Sequence, residues 1–238
     1  IFIILLANII LSYKADLSIY NYFLNLNYGV DTTYLKNFFI KITELGDSLW
    51  YFSIFLLILT VSFVGKNLKI IVTKHYLLLR NFSFFSLAYL LFVGIVTQVL
   101  KHVIGRPRPN HADFKDGFDF NFFSTDASFH SFPSGHSSTI FAVVILISLL
   151  VPRLKIFFIF FGFIVALSRV VVGAHFTTDI IAGSLLALIL YKVVLSIFEK
   201  RFTTIEIKDF EISNNNLFFK ANIIFIIIAI FVTVGHDF

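Results

Sequence analysis

The sequence predicts an all-α fold, a polytopic bundle of helices that cross a membrane. Hydrophobic residues make up 58% of the 238 residues and charged residues only 14%, which is outside the range of ordinary soluble domains. The hydrophobic residues are grouped in long apolar runs, and a helix needs about 20 such residues to cross a bilayer. Short polar connections separate the runs, with no internal repeat or low-complexity linker. We therefore expect one integral membrane domain over residues 1–238.

Composition also limits the chemistry and the partners. Because the chain contains no cysteine, thiolate catalysis, disulfide bonds and thiolate metal sites are excluded. The formal net charge is +5, but the Lys and Arg residues are scattered among the loops between apolar runs and form no basic domain. We therefore expect the lipid bilayer, and not nucleic acid, to be the partner of this protein.

The first part of the chain is expected to hold an incomplete span, an interfacial segment and a complete span. Ile1–Tyr13 is short for a span, and Met is absent even at position 1, so we interpret this run as the remainder of a first helix whose start is missing. No basic region accompanies it that would indicate a signal peptide. Residues 14–47 mix aromatic with polar residues, which favours short amphipathic helices at the interface, with an extramembrane loop as the equal alternative. Residues 48–65 form the second span, with Trp50 near an interface.

Four more spans are predicted, and with the first two they form a six-helix core. Gly105 and the prolines at 107 and 109 end the third span, and Ser134 is the expected N-cap of the fourth. The third to sixth spans are Tyr76–Ile104, Ser137–Val151, Ile156–Gly173 and Phe176–Phe198. An additional apolar segment at 221–234 follows this core.

Polar clusters stand at the ends of these four spans. Residues 101–108 end the third span, 133–136 begin the fourth, Arg169 ends the fifth, and 175–179 begin the sixth. Because successive spans run in opposite directions, we expect all four clusters at the same membrane face.

The distribution of Lys and Arg predicts which face this is. The loops opposite the clusters hold nine of these residues: Lys66, Lys69, Lys74, Arg153, Lys155, Lys200, Arg201, Lys208 and Lys220. The loops beside the clusters hold five, apart from three candidate site cations: Lys14, Lys36, Lys41, Arg106 and Lys115. Since cytoplasmic loops carry the excess of positive residues, we expect the clusters to face the periplasm of a bacterial inner membrane.

The clusters gather positive groups around the start of a helix. Lys101, Arg108 and Arg169 supply charge, and the N–H groups that follow Ser134 and Gly135 point out of the helix end. The natural guest of such a site is an anion, most simply phosphate. Each element alone is weak evidence, because a single Lys or Arg at the end of a span usually anchors to headgroups.

Two histidines add the groups that phosphoryl transfer requires. His175 and Asp179 are four positions apart and are expected on one face of a helix that begins near Phe176, where the carboxylate can accept Nδ1–H and leave Nε2 to attack phosphorus. His136 can then protonate the leaving oxygen and later deprotonate water. A metal site formed by the same three side chains is the alternative. Three adjacent cations oppose it, so we expect no metal and no cofactor.

Three motifs, in this order, resemble the signature of the type 2 phosphatidic acid phosphatase superfamily. They are KHVIGRPRP at 101–109, PSGH at 133–136 and SRVVVGAHFTTD at 168–179, and the resemblance extends roughly over 46–198. It implies a six-helix core, metal-independent hydrolysis and a phosphohistidine intermediate. It also implies site roles: His175 as nucleophile, Asp179 as its orienting partner, His136 as acid and base, and Lys101, Arg108, Ser134, Gly135 and Arg169 as phosphate binders.

A site at the membrane face, surrounded by interfacial aromatic residues, favours a lipid phosphate over a soluble ester. The stretch ITELGDSLWYF and the long segment before it look most like bacterial lipid A 1-phosphatases, so we expect removal of the 1-phosphate of lipid A. Undecaprenyl diphosphate and phosphatidylglycerophosphate are the alternative substrates. From other functional classes, a non-hydrolytic lipid or anion transporter would show inverted repeats or broken helices, which we do not see. A vanadate-dependent haloperoxidase is disfavoured by the membrane spans.

Overall fold

The computed structural model describes residues 15–25, 33–69, 73–110 and 120–201. These ranges contain α-helices joined by turns and loops and, among the described residues, no β-strand, so the predicted all-α fold is confirmed. The helices are α1 (15–25), α2 (Thr33–Glu44), α3 (Ser48–Asn67), α4 (Thr73–Ile104), α5 (Gly135–Leu150), α6 (Lys155–Val171) and α7 (Thr177–Arg201). The apolar runs predicted at Ile1–Tyr13 and 221–234 lie outside the described residues and stay predictions.

Four helical stretches in the described part of the chain are long and apolar enough to cross a membrane. They are Lys36–Asn67, Tyr76–Ile104, Pro152–Val171 and Thr177–Phe198. The first of them combines α3 with most of α2. The prediction differs here, because it places α2 in the interfacial segment 14–47. The two helices remain distinct, because Asp47 caps α3 by accepting a hydrogen bond from Leu49 N–H at 2.9 Å.

The fourth predicted span is shorter than a complete crossing. Helix α5 has 16 residues, which at the rise of an α-helix amounts to about 24 Å, against about 30 Å for the hydrocarbon core of a bilayer. This helix packs against α4, α6 and α7. Half of its residues are buried, including Ile140, Ala142 and Leu146, and the other half are partly buried. Because other helices surround α5, its polar ends can be satisfied by protein groups, and it does not need the full length of a lipid-facing span.

Small residues allow α5 to lie close to its neighbours. A Cβ atom added at Gly183 of α7 would lie 2.4 Å from the carbonyl oxygen of Ser134, and one added at Gly162 of α6 would lie 3.0 Å from Val144. Close backbone approach at small residues is how helices associate in lipid, where no hydrophobic effect drives them together. Gly183 therefore fixes the distance between α7 and the first turn of α5.

The outer surface of the bundle is apolar. Leu57 of α3, Val99 of α4, Ile156 and Phe160 of α6 and Ile181 of α7 are large hydrophobic residues that are all exposed. Large hydrophobic side chains exposed on several helices are unfavourable in water and suited to contact with lipid tails. The arrangement is that of helices packed around a buried core with their outer faces in the bilayer.

Candidate active site

The four predicted clusters come together at one end of the bundle. Helix α4 ends there because Gly105 has a φ of 58°, and a Cβ atom at this position would lie only 1.6 Å from the carbonyl oxygen of Asn121. The N–H of Ser134 donates to the carbonyl oxygen of Asp179 at 3.0 Å, which joins the starts of α5 and α7. The N–H of His175 donates to the carbonyl oxygen of Arg169 at 3.1 Å, which joins the end of α6 to the loop before α7.

The prediction that His175 and Asp179 share one face of a helix is wrong. His175 lies in the loop before α7, and Asp179 lies in the first turn of α7. The helix begins at Thr177, and the Asp179 carboxylate points back toward the loop that precedes it. Its Oδ2 accepts the N–H of Phe176 at 2.8 Å and lies 3.6 Å from Nδ1 of His175. An acidic side chain in the first turn satisfies the N–H groups that have no partner within the helix. Asp179 therefore caps α7 and lies beside the imidazole at the same time.

The His175 side chain is held in its neutral form. The residue is buried, and this burial, with the nearby positive charges of Lys101 and Arg169, lowers its pKa to about 3 although Asp179 acts in the opposite direction. Nδ1 faces Asp179 and also lies 3.4 Å from the Ser131 hydroxyl, so Nε2 is the nitrogen left for a ligand. A neutral imidazole with one available nitrogen is the form that can act as a nucleophile.

Three predicted cations lie at this end, and in the described part of the chain none of them forms a salt bridge with a carboxylate. Lys101 Nζ donates to the carbonyl oxygen of His130 at 2.6 Å, Arg108 Nε to that of Ala127 at 3.1 Å, and Arg169 Nη1 to the Thr43 hydroxyl at 2.8 Å. The buried Nε of Arg169 has no hydrogen-bond partner among the described residues. Within those residues the salt bridges formed near the site involve Arg106 and not these three side chains. Their charge is therefore available to an anion.

The start of α5 supplies the remaining predicted groups. Ser134 is its N-cap, as predicted, and the Ser134 hydroxyl accepts a hydrogen bond from Ser137 N–H at 3.4 Å. Gly135 begins the helix, and a Cβ atom there would lie 3.8 Å from Cε of Lys101. His136 follows in the first turn and packs on the turn between α2 and α3, where a Cβ atom added at Gly46 would lie 2.7 Å from Cβ of His136.

Arg106 is a site residue that we had counted among ordinary loop cations. Its side chain is buried, its Nη1 donates to Asp179 Oδ1 at 2.6 Å, and its Nη2 donates to Asp16 Oδ2 at 2.9 Å. Its guanidinium also lies 4.3 Å from the centre of the Phe176 ring, a cation–π contact. The available signal was its place inside the first motif, KHVIGRPRP, between Gly105 and a proline and two positions before Arg108.

Ser131 is a second group that the sequence did not indicate. Its hydroxyl donates to Asp179 Oδ2 at 2.6 Å, and its N–H donates to the carbonyl oxygen of Arg106 at 3.0 Å. With Arg106 and the Phe176 N–H, it makes the third donor on this buried carboxylate. The three donors satisfy the carboxylate oxygens and fix their direction.

The donor set does not favour a metal. Within the described ranges, no three side chains of His, Asp or Glu gather closely enough to hold an ion, so the alternative site built from His136, His175 and Asp179 is not formed.

Fold and sequence now place the chain in a family. The model of the PAP2 superfamily, the type 2 phosphatidic acid phosphatases, matches residues 83–203, and the chain belongs to this superfamily. With its apolar spans, it is a multi-pass membrane protein. The predicted resemblance is thereby confirmed.

Two relatives with similar sequences are both named lipid A 1-phosphatase. The chain is 38% identical over 144 residues to a lipid A 1-phosphatase of Rhizobium etli and 37% identical over 147 residues to one of Rhizobium johnstonii. Each match covers 60% of this chain and 62% or 59% of the relative, so the chain spans less than two thirds of their length.

Two solved structures share the fold. They are a PAP2-type phosphatidylglycerolphosphate phosphatase of Bacillus subtilis, with a TM-score of 0.60 and 24% identity over 85% of this chain and 94% of that one, and LpxE of Aquifex aeolicus, with a TM-score of 0.53 and 20% identity over 76% and 95%.

Proposed function

We propose that this protein is a membrane lipid phosphatase that hydrolyses a phosphate monoester through a phosphohistidine intermediate, and that its substrate is the 1-phosphate of lipid A. The observation that carries the proposal is the neutral, buried imidazole of His175 beside three cations that form no salt bridge with a carboxylate of the described residues. Such a field attracts a phosphate dianion and leaves the attacking nitrogen unprotonated.

The first half-reaction transfers the phosphoryl group to the enzyme. Nε2 of His175 forms a bond to phosphorus while the bond from phosphorus to the ester oxygen breaks, and His136 gives that oxygen a proton. Lys101, Arg108 and Arg169, with the N–H groups at the start of α5, stabilise the charge on the phosphoryl oxygens. Asp179 stabilises the positive charge that the His175 ring acquires.

The second half-reaction returns the enzyme to its initial state. His136, now deprotonated, takes a proton from water, whose oxygen forms a bond to phosphorus as the bond to His175 Nε2 breaks. Inorganic phosphate leaves, and His175 is again neutral. Burial and the nearby charge of Arg169 lower the pKa of His136 to about 4 in the free site, so His136 takes up its proton again when the next negatively charged substrate binds. The cycle consumes one water and needs no external oxidant, reductant or cofactor.

A panel of lipid phosphates tests the proposed substrate. Purified protein is given lipid A, undecaprenyl diphosphate, phosphatidylglycerophosphate and phosphatidic acid in mixed micelles, and phosphate release is measured. We expect the highest kcat/KM for lipid A, in keeping with the names of the rhizobial relatives. A higher value for another lipid would contradict the assigned substrate, and binding without release from all four would support a transporter.

We also propose that the site faces the periplasm of a bacterial inner membrane. Because Arg106 is buried in ion pairs, it no longer counts as a loop cation, and the count beside the site falls from five residues to four, against nine opposite. The chain has no cysteine, so a cysteine introduced at the exposed Asn121 is a unique label. We expect this cysteine to react in spheroplasts with a thiol reagent that cannot cross the inner membrane. Reaction only after permeabilisation would reverse the orientation.

A further inference from the structure

Asp16, in α1, is a buried carboxylate far from the three motifs in sequence. It is 1% exposed, and both of its oxygens are used. Oδ1 accepts the N–H of Thr178 at 3.0 Å, and Oδ2 accepts Nη2–H of Arg106 at 2.9 Å together with a short hydrogen bond from the Thr178 hydroxyl. Residue 16 lies outside the part of the chain that the family model matches, 83–203.

The contacts of Asp16 lead in one further step to Asp179, the carboxylate beside the nucleophile. Arg106, which Asp16 binds, holds Asp179 at 2.6 Å, and its Nη1 also donates to the Thr178 hydroxyl at 2.7 Å. Thr178, which Asp16 also binds, directly precedes Asp179 in the chain. Asp16 therefore fixes both the charged partner of Asp179 and the backbone beside it.

A second contact from the same helix reaches the loop that carries His175. The ring of Tyr20 packs edge-on against Phe176, with 6.2 Å between ring centres. It also lies 3.6 Å from the position that a Cβ atom would take at Gly173, whose φ is 75°. Helix α1 thus covers the loop from Gly173 to Phe176 in addition to holding its charged neighbours.

The charges of this group explain what a second carboxylate contributes. Arg106 carries one positive charge between Asp16 and Asp179, and the group as a whole keeps one negative charge. Without Asp16, Arg106 would interact with Asp179 alone, and the pair would offer little negative potential to an imidazole that becomes positive on phosphorylation. The negative charge of Asp16 offsets part of the positive potential of Arg106. The Asp179 carboxylate can therefore still stabilise a positive charge on His175.

We propose that Asp16 is a positioning residue of the reaction, and that α1 completes the active site by orienting and tuning Asp179 through Arg106 and Thr178. This inference rests on the proposed phosphatase function. A carboxylate that only anchored α1 would affect the amount and stability of folded protein. A positioning residue also slows the chemical step in protein that is fully folded.

The test uses Asp16→Asn in the full chain, which keeps the size of the side chain and removes its charge. We expect kcat for lipid A to fall about 10- to 100-fold, the cost of a modest displacement near the reacting atoms. KM and the Ki of inorganic phosphate should stay close to those of the unchanged protein, because the phosphate-binding cations are not altered. The matched control is Glu44→Gln, the same chemical change at an exposed carboxylate of α2.

Each outcome has a distinct meaning. No phosphate release by the unchanged protein would refute the proposed function itself. An active protein whose kcat is unchanged by Asp16→Asn, or whose KM and Ki rise in proportion to the loss, would refute the role of Asp16. If the variant does not accumulate in a folded form, Thr178→Val decides: it removes the hydroxyl shared by Asp16 and Arg106 at almost constant volume, and an unaltered kcat there overturns the proposal.

Discussion

His175→Ala is expected to lower phosphate release from lipid A by a factor on the order of 10⁴ to 10⁶, as when the nucleophile of an enzyme triad is removed. His136→Ala should cost less, about 10²- to 10⁴-fold, because it removes general acid–base catalysis and leaves the nucleophile in place. Both variants should be present in membranes at normal amounts. Among the described residues His136 forms no salt bridge, and the carboxylate beside His175 keeps Arg106, Ser131 and the Phe176 N–H as donors. The measurement is kcat/KM with each purified variant.

The leaving group separates the two roles. An aryl phosphate whose leaving oxygen is weakly basic needs little protonation, so His136→Ala should lose less with this substrate than with lipid A, whereas His175→Ala should be equally impaired with both. Rapid quenching of His136→Ala with the aryl substrate should also reveal an accumulated phosphoenzyme, because the water-activating base is missing. His102→Ala, an exposed histidine near the same end of α4, is the matched control and should retain activity. Comparable turnover by His175→Ala would exclude the mechanism.

Arg106→Met is expected to destabilise the protein by about 3 to 5 kcal/mol, because it leaves buried carboxylates without a compensating charge. Arg106 is 3% exposed, and its two partners are 1% and 0% exposed. Thermal unfolding in detergent measures the loss, and Arg153→Met, at an exposed position in the turn before α6, supplies the control. An unchanged unfolding temperature would mean that the ion pairs contribute nothing to stability.

A double variant sharpens this test. Asp16→Asn in the Arg106→Met background removes one of the two stranded charges, so it should recover part of the lost stability. Arg106→Lys keeps the charge but lacks the planar fork that reaches both carboxylates. Its stability should lie between that of the unchanged protein and that of Arg106→Met. Additive losses from the two single changes would contradict a direct interaction between these residues.

The sequence was sufficient for the apolar helices from α3 onward and for predicting that the motif clusters meet at one end of the bundle. The end of α4 follows from the glycine at 105, and the start of α5 follows from the N-cap at Ser134. Both are local signals that can be recognised without the tertiary structure. The short length of α5 was also predicted, as Ser137–Val151, but the reason for it was not. An apolar run looks the same whether lipid or other helices surround it, so only the packing shows why a short helix suffices.

The groups that hold Asp179 were missed for a different reason. Arg106 and Asp16 are 90 positions apart and meet only in the folded chain, so no local spacing relates them. In the sequence, each looks like an ordinary charged residue at the end of an apolar run. The same holds for Thr43, which accepts a hydrogen bond from Arg169 although 126 positions separate them. A motif identifies residues that touch the substrate more readily than those that support them.

The contact between Gly46 and His136 has a consequence for comparing members of this superfamily. Any side chain at position 46 would occupy the space of the imidazole, since an added Cβ atom would lie 2.8 Å from its Cδ2 and 2.7 Å from its Cβ. The surroundings of His136, the residue we propose as acid and base, therefore include a glycine 90 positions upstream, in the turn between α2 and α3. Homologues can be sorted by this position: those that keep glycine can hold the histidine as it is held here, and those with a larger residue must place it differently.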